Sequence, residues 1–219
     1  MNKTKIDWPW KPLLTWNPVV GCRRGCSYCY AKKISDRFKM IPDWTEPQFF
    51  PKRLEDPYEV KKSSTIFVGS MCDLFGTWVN PFWINKIINV CRENPHHEFM
   101  FLTKNPVRYA NWKFPENCRL GATVTGEKNG GDWPCNLKND PTPHLHSLPN
   151  PTFISIEPLL GSFFGHRFDF VDQIIVGAMS GPGAVKPRRE WIESIKHDNI
   201  YYKQSIRDLY PEFSNQEET

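Results

Sequence analysis

TIFVGS, residues 65–70, is apolar at consecutive positions, not alternating ones, and breaks off at a glycine and a serine. A strand with one face in water alternates polar with apolar residues, whereas a strand buried on both faces reads as a near-continuous run. The same pattern returns in QIIVGAM (173–179). Other β-branched or aromatic runs are LLTWNPVV (13–20), EFMFLT (98–103), RLGATVT (119–125), TFISIEP (152–158) and NIYYKQ (199–204). Amphipathic segments lie between several of them: YAKKISDRF (30–38), NPFWINKIINVCREN before the third run and REWIESIKHD before the last. Strands alternating with helices predict βαβ units and a parallel sheet. The expected class is therefore α/β with mostly parallel strands, as a TIM-like barrel or partial barrel, with a doubly wound sheet as the alternative.

In either architecture the function belongs at the carboxyl ends of the strands. The residues there are Asn17 and the loop after it, then Ser70, Met71, Cys72 and Asp73, then Thr103 and Lys104. Thr123 and Thr125 end the fourth run, Glu157 the fifth, Ser180 and Gly181 follow the sixth, and Lys203 with Gln204 ends the last. Any one of them is an ordinary polar loop start. Together they predict polar groups converging on one face.

With 219 residues, 39% of them apolar and 14% aromatic, the chain can bury a core. One domain over 1–210 with a polar tail at 211–219 is expected. No stretch approaches the roughly 18 apolar residues of a membrane span, and MNKTKIDWPWKPLLTW lacks the apolar core of a secretory signal. The expectation is a cytoplasmic protein with no membrane partner, whose seven cysteines are reduced thiols, metal ligands or catalytic groups. Residues 126–150, rich in Gly, Pro, Asn and Asp, read as an irregular excursion near the mouth of the sheet. The net charge is +4, and Arg23, Arg24, Lys32, Lys33, Arg37 and Lys39 crowd one short segment. Such a run is either a solvated face or a surface for anions and nucleic acid.

That segment, VVGCRRGCSYCYAKK (19–33), holds Cys22, Cys26 and Cys29. Three cysteines are an odd number for disulfides and one short of a closed structural zinc site. Cys72, Cys91, Cys118 and Cys135 stand alone, which leaves His96 with His97, or His144 with His146, to complete a zinc site. Iron–sulfur cubanes usually take four thiolates. Three leave one iron open to an exogenous ligand, as a cluster that binds and cleaves a cofactor requires.

The spacing C-x3-C-x2-C, here CRRGCSYC with Tyr28 before the last cysteine, resembles the signature of the radical S-adenosylmethionine superfamily. The resemblance implies a [4Fe–4S] cluster held by Cys22, Cys26 and Cys29, with S-adenosylmethionine on the fourth iron. TWNPVVGC, GCSYCYAKK, IFVGSMCDLF, FLTKNP, LGATVTGEKN, ISIEPLLG, IIVGAMSGPGAVKP and YYKQ are similar to segments of a phage-associated, largely uncharacterised family of small radical S-adenosylmethionine-like proteins. That likeness covers nearly the whole chain and implies a partial (β/α)6 barrel with the cluster at its top. GCSYCY is also similar to the cluster loop of the spore photoproduct lyase group. The glycine-rich GGEP-like segment that many superfamily members carry after the second strand is replaced by GSMCDLF.

The resemblance further implies that one electron from an external donor splits S-adenosylmethionine into methionine and a 5′-deoxyadenosyl radical, which abstracts hydrogen from a substrate. On this reading Ser70 and Asp73 meet the cofactor's amino group, Thr123 or Thr125 its ribose, and Tyr28 with the backbone from Gly177 to Ser180 its adenine. Glu157 ends an apolar strand, where a charge needs a partner. Lys104 or Lys203 supplies it, to bind cofactor or substrate or simply to close the structure. Cys72 is a hydrogen-atom donor or a small buried hydrophobe, and Cys91, Cys118 and Cys135 are packing residues. The basic flank and the phage-linked family favour a nucleic acid or nucleotide substrate. The alternative is a non-catalytic iron–sulfur or zinc module that contacts nucleic acid.

Overall fold

A computed structural model describes residues 1–11, 13–126, 140 and 142–215. It is a mixed α/β structure built on one mostly parallel eight-stranded sheet. β1 (Asn2–Lys3) pairs antiparallel with β2 (Leu13–Trp16), and β3 (Val19–Val20) forms a small separate ribbon with β4 (Gln48–Phe49). From β2 the sheet continues in parallel and in chain order through β5 (Thr65–Val68), β6 (Glu98–Thr103), β7 (Cys118–Val124), β8 (Thr152–Ile156), β9 (Gln173–Val176) and β10 (Ile200–Tyr202). Seven strands thus run parallel with no reversal of order, which a doubly wound sheet would show. The sheet ends at β1 and β10, so among the described residues no closed barrel forms.

Alternation along the strands explains the two cores. One side carries Ile66, Val68, Phe99, Phe101, Leu120, Ala122, Val124, Ile154, Ile156, Ile174 and Val176, buried under the connections. The other carries Leu13, Phe67, Met100, Phe153 and Ile175, gathered around Trp8 from the segment between β1 and β2. The Trp8 ring lies 4.6 Å from Phe67 on β5 and 5.6 Å from Phe153 on β8. Strands three places apart reach one ring only if the sheet curls around it. Gly121 permits the curl, because a Cβ there would lie 2.3 Å from the Phe153 ring.

The connections depart from the sequence expectation. Among the described residues only α1 (Tyr30–Phe38) and α2 (Pro81–Glu93) are α-helices of more than two turns; α3 (Arg189–Glu193) and α4 (Gln204–Arg207) are short. Elsewhere the strands are joined by 3₁₀ turns such as Pro51–Glu59 and Pro106–Asn111. The 20 prolines are the physical reason, since each removes a backbone donor and opposes a longer helix. α2 has the expected stripe, burying Ile84, Ile87, Ile88 and Cys91 at helical spacing, and starts at Asn80, whose side chain accepts from Phe82 N at 2.9 Å.

At the far end, Asn215 accepts from Tyr202 N at 2.7 Å and donates to Tyr202 O at 3.1 Å, which docks residues 211–215 along β10. Of the irregular stretch 126–150, only 126, 140 and 142–150 lie within the described residues; there Thr142–Leu145 forms a 3₁₀ turn with Leu145 buried. Cys135 lies outside the described residues.

Candidate active site

At the carboxyl end of the curled sheet is a cavity of about 220 Å³. Cys22, Cys26 and Cys29 line it, together with Tyr28, Ser70, Cys72, Asp73, Lys104, Thr123, Glu157 and Ser180. Thr125 and Gly177 are not among the lining residues. Thr125 is fully buried and its carbonyl accepts from Leu160 N at 2.8 Å, while Gly177 provides room for its neighbours.

The cysteine loop begins where Gly21 bridges to Cys72 and its N–H donates to Met71 O at 3.0 Å. Gly21 has φ 111°, and a Cβ would lie 2.9 Å from the Pro47 backbone, so glycine is required there. Cys22 is 9% exposed; burial pushes its thiol up to about 11, and Arg24 N donates to its Sγ at 3.5 Å. Cys29 caps α1: its backbone is extended and its Sγ accepts from Lys32 N at 3.3 Å. Cys72 Sγ donates weakly to Gly69 O at 3.7 Å, and burial holds its thiol well above the usual range.

Two polar networks hold the walls. Asn17, at the end of β2, accepts from Met71 N at 2.9 Å and hydrogen-bonds Ser70 Oγ at 3.1 Å, while Tyr30 Oη donates to Ser70 O at 2.9 Å. Asp73 accepts from Arg24 Nε at 3.0 Å, from Lys104 N at 3.4 Å and from the Thr103 hydroxyl. Asp73 is thereby the tie between the cysteine loop and the end of β6, with its carboxylate already engaged, and the Arg24 guanidinium sits 5.5 Å from the Trp78 ring centroid.

Across the cavity Lys203 Nζ donates to Glu157 Oε1 at 2.5 Å. Of the two lysines considered for Glu157, the structure selects Lys203. A Cβ on Gly177 would meet Lys203 Cδ at 2.8 Å and Glu157 Cδ at 3.2 Å, so the missing side chain on β9 lets this pair cross between its neighbours.

Sequence reasoning missed Arg24 as an Asp73 partner, Tyr30, Trp8 and Ser155. Ser155 was readable in TFISIEP: it is the polar residue midway between Phe153 and Glu157 on the inward face of an otherwise apolar strand. It is 1% exposed, lines the cavity, and its Oγ has no hydrogen-bond partner.

A protein-family model described as "Protein of unknown function (DUF5131)" matches residues 3–205. The chain belongs to the DUF5131 family. The match spans every strand of the sheet from β2 to β10 and all three cysteines of the loop. No curated protein and no solved structure matches this DUF5131 chain.

Thiol donors are the chemistry that both iron–sulfur clusters and zinc take. The three thiols of the loop line the cavity, and the carboxylate bound to the loop, Asp73, is taken by Arg24 and Thr103. The thiols line the cavity without forming a closed ligand set: among the described residues no three His, Cys, Asp or Glu side chains are gathered tightly enough to hold an ion. An unpartnered hydroxyl in the same cavity, Ser155 Oγ, is suited to a bound organic group.

Proposed function

We propose that this chain is a radical S-adenosylmethionine enzyme acting on a nucleic acid or nucleotide, with its curled sheet serving as a partial (β/α)6 barrel. The carrying observation is that Cys22, Cys26 and Cys29, spaced C-x3-C-x2-C, line one cavity with the polar ends of successive parallel strands. Those three thiolates would hold a [4Fe–4S] cluster. When bound, the cluster supplies the electron, received from an external donor, for cleavage of S-adenosylmethionine to methionine and a hydrogen-abstracting 5′-deoxyadenosyl radical.

The chain's own groups bind, orient and exclude water. Tyr28 and the segment around Ser180, which line the cavity, would meet the adenine, and the Thr123 hydroxyl on β7 would meet the ribose. Ser70 and Asp73 are held by Asn17 and Arg24, so their part is to shape the amino-group side through the backbone between them. Lys203 holds one oxygen of Glu157, and the carboxylate's second oxygen would take an incoming polar group. Lys104 sits beside Asp73 on the same wall, and the Cys72 thiol lies within it as a hydrogen-atom donor. Trp8, Phe67 and Leu102 form an apolar floor that keeps water from a reactive radical.

The test is anaerobic reconstitution with iron and sulfide, measurement of bound iron and acid-labile sulfide, then dithionite reduction with S-adenosylmethionine and assay for 5′-deoxyadenosine. The expected result is cluster and product in the wild type and neither in Cys26→Ala. A cluster without product assigns a redox or binding role, and bound zinc without a cluster overturns the reading.

A further inference from the structure

We infer that a single strand of nucleic acid lies along the exposed face of α1 and places one base in the cavity. This rests on the substrate class proposed above and specifies how that substrate is held. Among the described residues six large apolar side chains are well exposed, and three of them, Tyr30, Ile34 and Phe38, stand four residues apart on α1. A helix ordinarily turns such a stripe inward. α1 instead buries the small residues Ala31 and Ser35 and leaves Tyr30 51%, Ile34 39% and Phe38 66% exposed.

Cations are interleaved with that stripe. Lys33 and Arg37 fall on the same side of the helix, and the Arg37 guanidinium lies 5.4 Å from the Phe38 ring centroid. Lys32 is neutralised by Asp36 at 2.6 Å and Arg23 by Glu46 at 2.7 Å, whereas Lys33, Arg37 and Lys39 enter no ion pair among the described residues. Exposed rings beside unpaired cations match a single strand, whose bases stack on the rings while its phosphates meet the cations. A duplex keeps its bases stacked inside and could use only the charges.

The face and the cavity are continuous, because Tyr30 belongs to both: it starts α1, and its hydroxyl is tied to Ser70 O in the cavity wall. Inside, the Ser155 hydroxyl waits unpartnered beside Thr123, its register neighbour, above the apolar Phe67 and Trp8. An unpaired hydroxyl over an apolar floor suits the polar edge of a neutral planar ring. A phosphate brought there would be a buried charge.

The full chain, prepared with and without iron and sulfide, would be titrated with fluorescein-labelled single-stranded DNA and RNA of about 12 nucleotides and with the matching duplex, reading anisotropy at several salt concentrations. Single strands are expected to bind more tightly than duplex. Lys33→Ala with Arg37→Ala should lower the slope of log affinity against log salt by about 1.4, since each single-strand phosphate contact contributes about 0.7. Phe38→Ala should weaken binding about tenfold, and Ser155→Ala about fivefold without altering the salt slope. Equal binding of duplex, or unchanged affinity in the α1 variants, overturns the inference. Self-association abolished by Phe38→Ala, seen by sedimentation, also overturns it by assigning the stripe to a second copy. Strand binding without 5′-deoxyadenosine production supports this surface while overturning the catalytic reading, and the reverse pattern does the opposite.

Discussion

Gly177 shows how much a missing side chain can decide. Its α-hydrogen faces the Glu157–Lys203 pair, and the 2.8 Å approach to Lys203 Cδ leaves no room for a methyl group. Gly177→Ala should push the pair apart and lower stability by about 1–3 kcal/mol in urea denaturation, as overpacking does. Gly121 plays the corresponding part in the curl: an added Cβ would sit 2.3 Å from the Phe153 ring. Gly121→Ala should destabilise, and Phe153→Leu should restore part of the loss, with a double-mutant coupling of about 0.5–3 kcal/mol. Both glycines occur in the quoted strand runs, yet nothing in a run says which large side chain will lie over them.

At the scale of elements, Cys29 carries two separable duties, one as a thiol of the cysteine loop and one as the N-cap of α1. On the proposed reading Cys29→Ser should keep the cap and lose the cluster, whereas Cys29→Ala should lose both. The two variants should therefore share a low iron content and differ by about 1 kcal/mol in stability. Asn17 joins the end of β2 to the 69–71 turn, and its side chain satisfies Met71 N and Ser70 Oγ. Asn17→Ala should cost about 1–3 kcal/mol by leaving Met71 N unpaired, and amide hydrogen exchange should rise at Met71 before it rises in the strands. The helix boundaries of α1 follow from local chemistry, so YAKKISDRF was legible to the residue. REWIESIKHD was not: only Arg189–Glu193 is helical, because Ile192 and Ile195 find the core within a single turn.

Across the whole molecule, the segment between β1 and β2 closes the floor of the curl and latches onto its last strand. Asp7 accepts from Tyr201 Oη at 2.6 Å and from Gln204 N, with Arg207 3.9 Å away. Burial raises the Asp7 pKa, but these hydrogen bonds and the nearby Arg207 and Lys203 charges outweigh it, and the net shift is downward. A carboxylate with a depressed folded pKa contributes stability above its unfolded value, about 3.9, and loses it as pH falls through the lower folded value. Wild type should therefore lose more stability than Asp7→Asn on titration below about pH 4, measured by denaturant midpoints.

The mostly parallel sheet was readable because burial on both faces writes itself as continuous apolar runs, whereas the order of its strands was not, since those runs fit a partial barrel and a doubly wound sheet alike. The grouping of Cys22, Cys26 and Cys29 at the cavity was readable because their spacing within one loop is local. Tertiary structure alone decided that Lys203 and not Lys104 holds Glu157, that Asp73 is engaged by Arg24, and that Ser155 is left without a partner. Those outcomes depend on how far the sheet curls, and the curl is set by packing between Trp8, Phe67, Gly121 and Phe153, residues that only folding brings together.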